Sequence, residues 1–137
     1  MSEQAVEMQG ITAHLAVRDG RAAEAIDFYK TAFGAEERMR MPGQDSHLLL
    51  HAHVVINGSS LMLNDVFPEW SAEQSFEPNG AVSLHLEVDD ADAWFERAKA
   101  AGAEVVMPLD NQFWGSRYGH VRDPFGFTWA ISGPIPA

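Results

Sequence analysis

The stretch His14-Leu15-Ala16-Val17-Arg18-Asp19 returns 71 positions later as His85-Leu86-Glu87-Val88-Asp89-Asp90. Both copies read His-Leu-x-Val-x-Asp. Each is followed by an Ala-rich stretch that closes on Gly-Ala-Glu, at Gly34-Ala35-Glu36 and again at Gly102-Ala103-Glu104. Two matched anchors in the same order mark one structural unit written twice.

Working outward from the first copy, Ile11 to Val17 alternates as a strand does. Asp19 is placed to cap a helix. Apolar residues at Ala22, Ala25, Ile26, Tyr29 and Phe33 have the spacing of one buried helical face over 21–33, and Gly34 supplies the stop. A short strand is expected over 36–41, followed by a turn at Pro42-Gly43-Gln44-Asp45. His47 to Ile56, Asn57-Gly58 and Ser59 to Asn64 read as a hairpin with a two-residue type I′ turn. That turn sets Ile56 against Ser59, Val54 against Leu61, His53 against Met62 and His51 against Asn64.

The second copy repeats the plan. A strand is expected over 81–88 and a helix over 91–101 with Phe95 and Ala98 inward. Further strands follow near 104–107, 118–122 and 128–132, with Asp123-Pro124-Phe125-Gly126 as the last turn. Each half therefore reads β-α-β-β-β. The expected organisation is a single domain over 1–137, with one module over 11–66, a linker over 67–80 that carries Trp70, and a second module over 81–132. About 70 residues bury too little alone, so the halves are expected to share one core.

Strand parity separates two faces. Ala13, Leu15, Val17, Ala52, Val54, Ile56, Leu61, Leu63, Val82, Leu84, Leu86 and Val88 are all apolar and are assigned to the helices. Thr12, His14, His51, His53, Met62, Asn64, Ser83 and His85 share the other face. A face in bulk water would carry more Lys and Glu. A few polar groups among apolar ones suit the wall of a partly enclosed cavity.

Composition narrows the function classes. The chain has 137 residues, 46% hydrophobic and 21% charged, with no cysteine and a formal net charge of −11. Disulfides and thiolate metal sites are excluded. The acidic field disfavours nucleic acid and anionic membranes and favours cationic ligands. No apolar run is long enough to span a bilayer, and the N-terminus lacks signal-peptide features, so the cytoplasm is expected. No Ser-His-Asp order, Gly-rich phosphate loop or paired catalytic carboxylate is present.

Glu24-Ala25-Ile26-Asp27-Phe28-Tyr29-Lys30, Phe33 through Glu36, Gln112-Phe113-Trp114-Gly115-Ser116-Arg117-Tyr118-Gly119 and Asp123 through Trp129 carry a family resemblance. With the doubled module, these segments resemble the vicinal oxygen chelate superfamily, and its PhnB-like branch in particular. That group includes glyoxalase I, extradiol dioxygenases, and fosfomycin- and bleomycin-resistance proteins. The resemblance implies an α+β fold in which two tandem β-α-β-β-β modules form a curved mixed sheet around a cavity. It also implies a homodimer. The superfamily hosts many chemistries on one scaffold, so it does not by itself name a reaction.

The resemblance places the family's metal ligands at positions 12, 62, 83 and 130. These hold Thr12, Met62, Ser83 and Ala130 here, a poor set for a hard divalent cation. The expected function is therefore metal-independent binding of a small molecule, without a cofactor. The assigned residues are His14, His51, His53, Met62, Asn64 and His85, together with Trp114, Arg117 and Tyr118 from a loop over the cavity mouth. There a flat ring and a guanidinium would grip a planar or anionic ligand. Trp129 is assigned to the core and Asp123-Pro124-Phe125-Gly126 to the fold. An alternative is a lyase, isomerase or dioxygenase that holds one divalent metal with His14, His53 and His85. A third reading, a metal-free enzyme with a histidine base, lacks an orienting carboxylate in the sequence.

Overall fold

The computed structural model describes residues 10–67, 77–78 and 81–137. Trp70 and most of the expected linker lie outside these residues. Ten elements run in chain order: β1 (Ala13–Val17), α1 (Ala22–Phe33), β2 (Glu36–Pro42), β3 (Leu49–Ile56), β4 (Ser59–Asp65), β5 (Leu84–Glu87), α2 (Ala91–Ala101), β6 (Glu104–Asn111), β7 (Ser116–Arg122) and β8 (Thr128–Pro134). Each half is β-α-β-β-β, as the repeat requires. The strands form two four-stranded mixed sheets, ordered β1-β4-β3-β2 and β5-β8-β7-β6, rather than one continuous sheet. The chain divides into two compact units, one of residues 1–30 and 34–77, the other of 31–33 and 78–137.

In the first unit, β1 runs parallel to β4 and sets His14 beside Met62 and Val17 beside Asp65. The β3–β4 hairpin has the register its turn dictates: His53 opposes Met62, Val54 opposes Leu61 and Ile56 opposes Ser59. Asn57 and Gly58 both take positive φ, as a type I′ turn demands. The helix-side residues Val17, Ala52, Val54 and Leu63 are buried, as are Ala22, Ala25, Ile26 and Tyr29 of the first unit's helix. Each large side chain so buried contributes about 2 kcal/mol.

The start of α1 is held differently from expectation. Asp19 makes no side-chain cap and sits at φ 64°. Instead Asp65, at the far end of β4 and 1% exposed, accepts from the Ala22 amide at 2.9 Å and from the Leu49 amide at 2.7 Å. A carboxylate at a helix N-terminus meets both its unpaired N–H groups and its dipole. In the second unit Asp90 caps α2 locally, accepting from Ala93 at 3.1 Å. The position corresponding to Asp65 is Gly133. A Cβ there would lie 2.8 Å from the Val88 carbonyl oxygen and 3.3 Å from the Ala91 nitrogen, so only glycine fits.

Two further expectations change. Val82 precedes β5 and is exposed rather than buried, because the strand begins only at Leu84. Strand β6 runs to Asn111, four residues beyond its expected end, with register shifts on either side of Met107. Those shifts break the alternation on which a strand's reading from sequence relies, and an edge strand tolerates Pro108. Trp129 is in the core, its ring centroid 4.6 Å from that of Phe33.

On β2, Glu37 accepts from Arg40 at 2.6 Å and from Lys30 of α1 at 2.9 Å. Chiefly the Arg40 hydrogen bond, with help from Lys30, draws the Glu37 carboxyl down to about 2. A depressed carboxyl stabilises the fold above its unfolded value and loses that contribution as pH falls from about 4.5 toward about 2. The partly exposed partners limit the gain to about 1 kcal/mol. Glu37→Gln is expected to lower stability by that amount at pH 7 but to match the parent near pH 2, as read by urea denaturation.

Candidate functional site

The helix-free face of each sheet carries the unusual chemistry. In the first unit, cross-strand partners share a face, so ladder registers align one row as Met39–His53–Met62–His14. The next row begins Met41–His51. His14 is exposed, His51 half-buried and His53 buried. The His14 and His51 rings meet edge to face with centroids 5.8 Å apart. His53 Nε2 and the Ser60 hydroxyl are 2.9 Å apart. Burial, with the His14 and His53 imidazoles alongside, holds His51 below the ordinary histidine value. Burial and the Arg38 guanidinium do the same for His53. Both shifts favour the neutral imidazole. Asn64 turns its amide onto the Asp65 carbonyl at 2.7 Å.

The second unit repeats the first row as Met107–His120–Ala130–His85. Its histidines bracket an aromatic array. Tyr118 lies 5.1 Å from His120, 6.0 Å from His85 and 5.2 Å from Trp114, centroid to centroid. Its hydroxyl is 3.0 Å from His120 Nε2. Trp114, in the turn between β6 and β7, is 50% exposed, and Phe113 beside it is almost wholly exposed. His85 Nε2 is 2.9 Å from Glu87 Oε1, and this bond lowers the Glu87 carboxyl below its ordinary value. An orienting carboxylate for His85 therefore exists, two residues along the same strand face. Strand alternation puts Glu87 on the face of His85, but the side-chain hydrogen bond that pairs them is not written in the spacing.

Of the nine residues assigned from sequence, five stand on the open face of the first sheet: His14, His51, His53, Met62 and Asn64. Three more, His85, Trp114 and Tyr118, meet in the second unit, joined there by His120. Arg117 does not join them. Strand β7 begins at Ser116, and parity turns Arg117 to the opposite face, where it donates to Asp92 of α2 at 2.9 Å and to Asn111 at 3.1 Å. The Arg117 hydrogen bonds hold Asp92 below the ordinary aspartate range.

The segment Ala13 to Ile131, with its doubled module and paired mixed sheets, matches a known family. The model described as Glyoxalase/Bleomycin resistance protein/Dioxygenase superfamily aligns over residues 11–131. The chain belongs to this superfamily. Among relatives of this superfamily member is an uncharacterized protein of Mycobacterium tuberculosis, 47% identical over 129 residues, spanning 91% of this chain and 74% of its own length. The crystal structure of an Arabidopsis thaliana gene product is 32% identical with TM-score 0.68, over 92% of this chain and 99% of that one. A Bacillus cereus crystal structure, named as a putative 3-demethylubiquinone-9 3-methyltransferase, PhnB protein, superposes with TM-score 0.71 at 22% identity, over 90% and 98%. At that identity it speaks for the fold alone, and the fold is that of the PhnB-like proteins.

The residues at the superfamily's metal positions decide whether its usual cation fits. Met62 and Ala130 face the open side of their sheets, and neither suits a hard cation. Thr12 and Ser83 stand one residue ahead of β1 and β5 and offer only hydroxyls. Among the described residues, no group of three or more His, Asp or Glu is placed to hold a metal ion. The residues do not fit the usual divalent site.

Proposed function

We propose that this superfamily member binds a small, flat organic ligand through aromatic stacking and imidazole hydrogen bonds, without the divalent metal of its metal-dependent relatives. The observation that carries the proposal is the Trp114–Tyr118 array flanked by His85 and His120. Trp114 stands edge-on to Tyr118 at 78° and leaves its own ring half exposed. Such a ring offers a stacking surface, while imidazoles beside it set orientation. The formal charge of −11 favours a cationic ligand over an anionic one. With Arg117 committed to Asp92, the guanidinium is not available as an anion clamp at this site.

The expected test is a screen of planar aromatic amines by tryptophan fluorescence and calorimetry. A binder should lose about tenfold in affinity with Trp114→Ala, the worth of one ring contact. Binding should be unchanged by a divalent-metal chelator. An unaltered affinity in the variant, or loss of binding with chelator, would overturn the proposal.

The His85–Glu87 pair favours a second reading, a metal-free enzyme in which Glu87 orients His85 as a general base. It requires turnover of the ligand found by the screen and loss of that turnover in Glu87→Gln at unchanged affinity.

A further inference from the structure

We infer that the open face of the first sheet binds a soft monovalent d10 cation, of which Cu(I) is the type, between His14, His51 and Met62. The chain contains six histidines and six methionines, and three of each stand on this one sheet face. They are interleaved there. Met62 neighbours His14 on one strand and His53 on the other, and Met41 neighbours His51. Neighbouring strands lie about 4.8 Å apart, so each thioether has an imidazole in adjacent register.

The donor types decide which cation fits. The donors around His14 and His51 are nitrogen and sulfur, while Glu36, in the row of Val55 on the same face, is tied to Arg38 at 3.2 Å; that set disfavours Mg²⁺, Ca²⁺ and Mn²⁺. The third imidazole, His53, is buried with its Nε2 2.9 Å from the Ser60 hydroxyl, and among the described residues no three His, Asp or Glu are grouped as a conventional Zn²⁺ set requires. Two imidazoles supplemented by the Met62 thioether suit a soft ion of low coordination number. The His14–His51 contact, centroid to centroid 5.8 Å, brings two imidazoles together on the face.

Position within the face is set by charge. Arg38, tied to Glu36 at 3.2 Å, lies near enough to His53 to oppose a cation at the His53–Met39 corner. His14, Met41 and Met62 are at least partly exposed, so an ion can reach the opposite corner. The second unit supplies an internal control. Its equivalent row has Ala130 in place of Met62 and so lacks the central thioether.

The test is an anaerobic titration of the intact chain with Cu(I) against a chromophoric Cu(I) chelator, with Ag(I) as a redox-silent surrogate. One ion per chain should be withheld from the chelator, and Zn²⁺ should not be. His14→Ala combined with Met62→Leu should weaken retention about 100-fold. His14 is exposed and Met62→Leu preserves volume, so the fold should persist, checked by circular dichroism. Trp114→Ala should retain the ion fully, which separates this inference from the ligand reading. Failure of the parent chain to withhold Cu(I), equal retention of Zn²⁺, or undiminished retention in the double variant would overturn it.

Discussion

Asp65→Ala is expected to lower the unfolding free energy by about 3 kcal/mol, a large share of the roughly 5–15 kcal/mol typical of a domain. The carboxylate is 1% exposed and accepts from two amides far apart in sequence, Ala22 at the start of α1 and Leu49 at the start of β3. Alanine leaves both donors without this acceptor, and an orphaned buried donor costs about 1–3 kcal/mol. It also removes a negative charge from a helix N-terminus. Asp65→Asn keeps one acceptor oxygen and should fall between the two. Asp19→Ala, at a residue that does no capping, should change stability by less than about 0.5 kcal/mol. Urea denaturation of the three variants at pH 7 checks the ranking. Equal effects at Asp19 and Asp65 would contradict the capping assignment.

Asp123→Ala is expected to cost about as much or more, roughly 4 kcal/mol. The Asp123 carboxylate is 3% exposed. One oxygen accepts from the Phe125 and Phe127 amides at 2.9 and 3.0 Å, and the other from Trp129 Nε1 at 2.9 Å. The turn and the core indole thus depend on the same side chain. A double-mutant cycle with Trp129→Phe distinguishes the parts. Once the indole donor is gone, removal of Asp123 should be less damaging by about 1 kcal/mol. Near-ultraviolet circular dichroism should lose the signal of an immobilised Trp129 in the single variant. A cost under about 1 kcal/mol would show that the turn is held by its backbone alone.

The doubled module was legible because local chemistry repeats: a strand alternates, a helix spaces its apolar residues, and Asn57-Gly58 sets a hairpin register. The open faces were legible for the same reason, since parity alone put His14, His51, His53 and Met62 together. Parity fails where a strand slips. The register shifts around Met107 hid the length of β6, and the loop expected to present Arg117 is in part strand β7. Met39 and Met41 were missed because their strand also carries register shifts. Asp65 was missed for a different reason. It caps a helix 43 residues away, and no local pattern records a long-range partner. The pairing of His120 with Tyr118 likewise depends on side-chain rotamers that spacing does not specify.

The close approach at Gly133 means that the two halves have ceased to be interchangeable. A gene assembled from two copies of the first half would carry an aspartate to the place where the Val88 carbonyl and α2 leave room for a hydrogen atom. One made from two second halves would start its first helix without the buried carboxylate that also anchors β3. Each copy has come to depend on its own way of beginning a helix, so an ancestor built from identical repeats could not have carried both solutions.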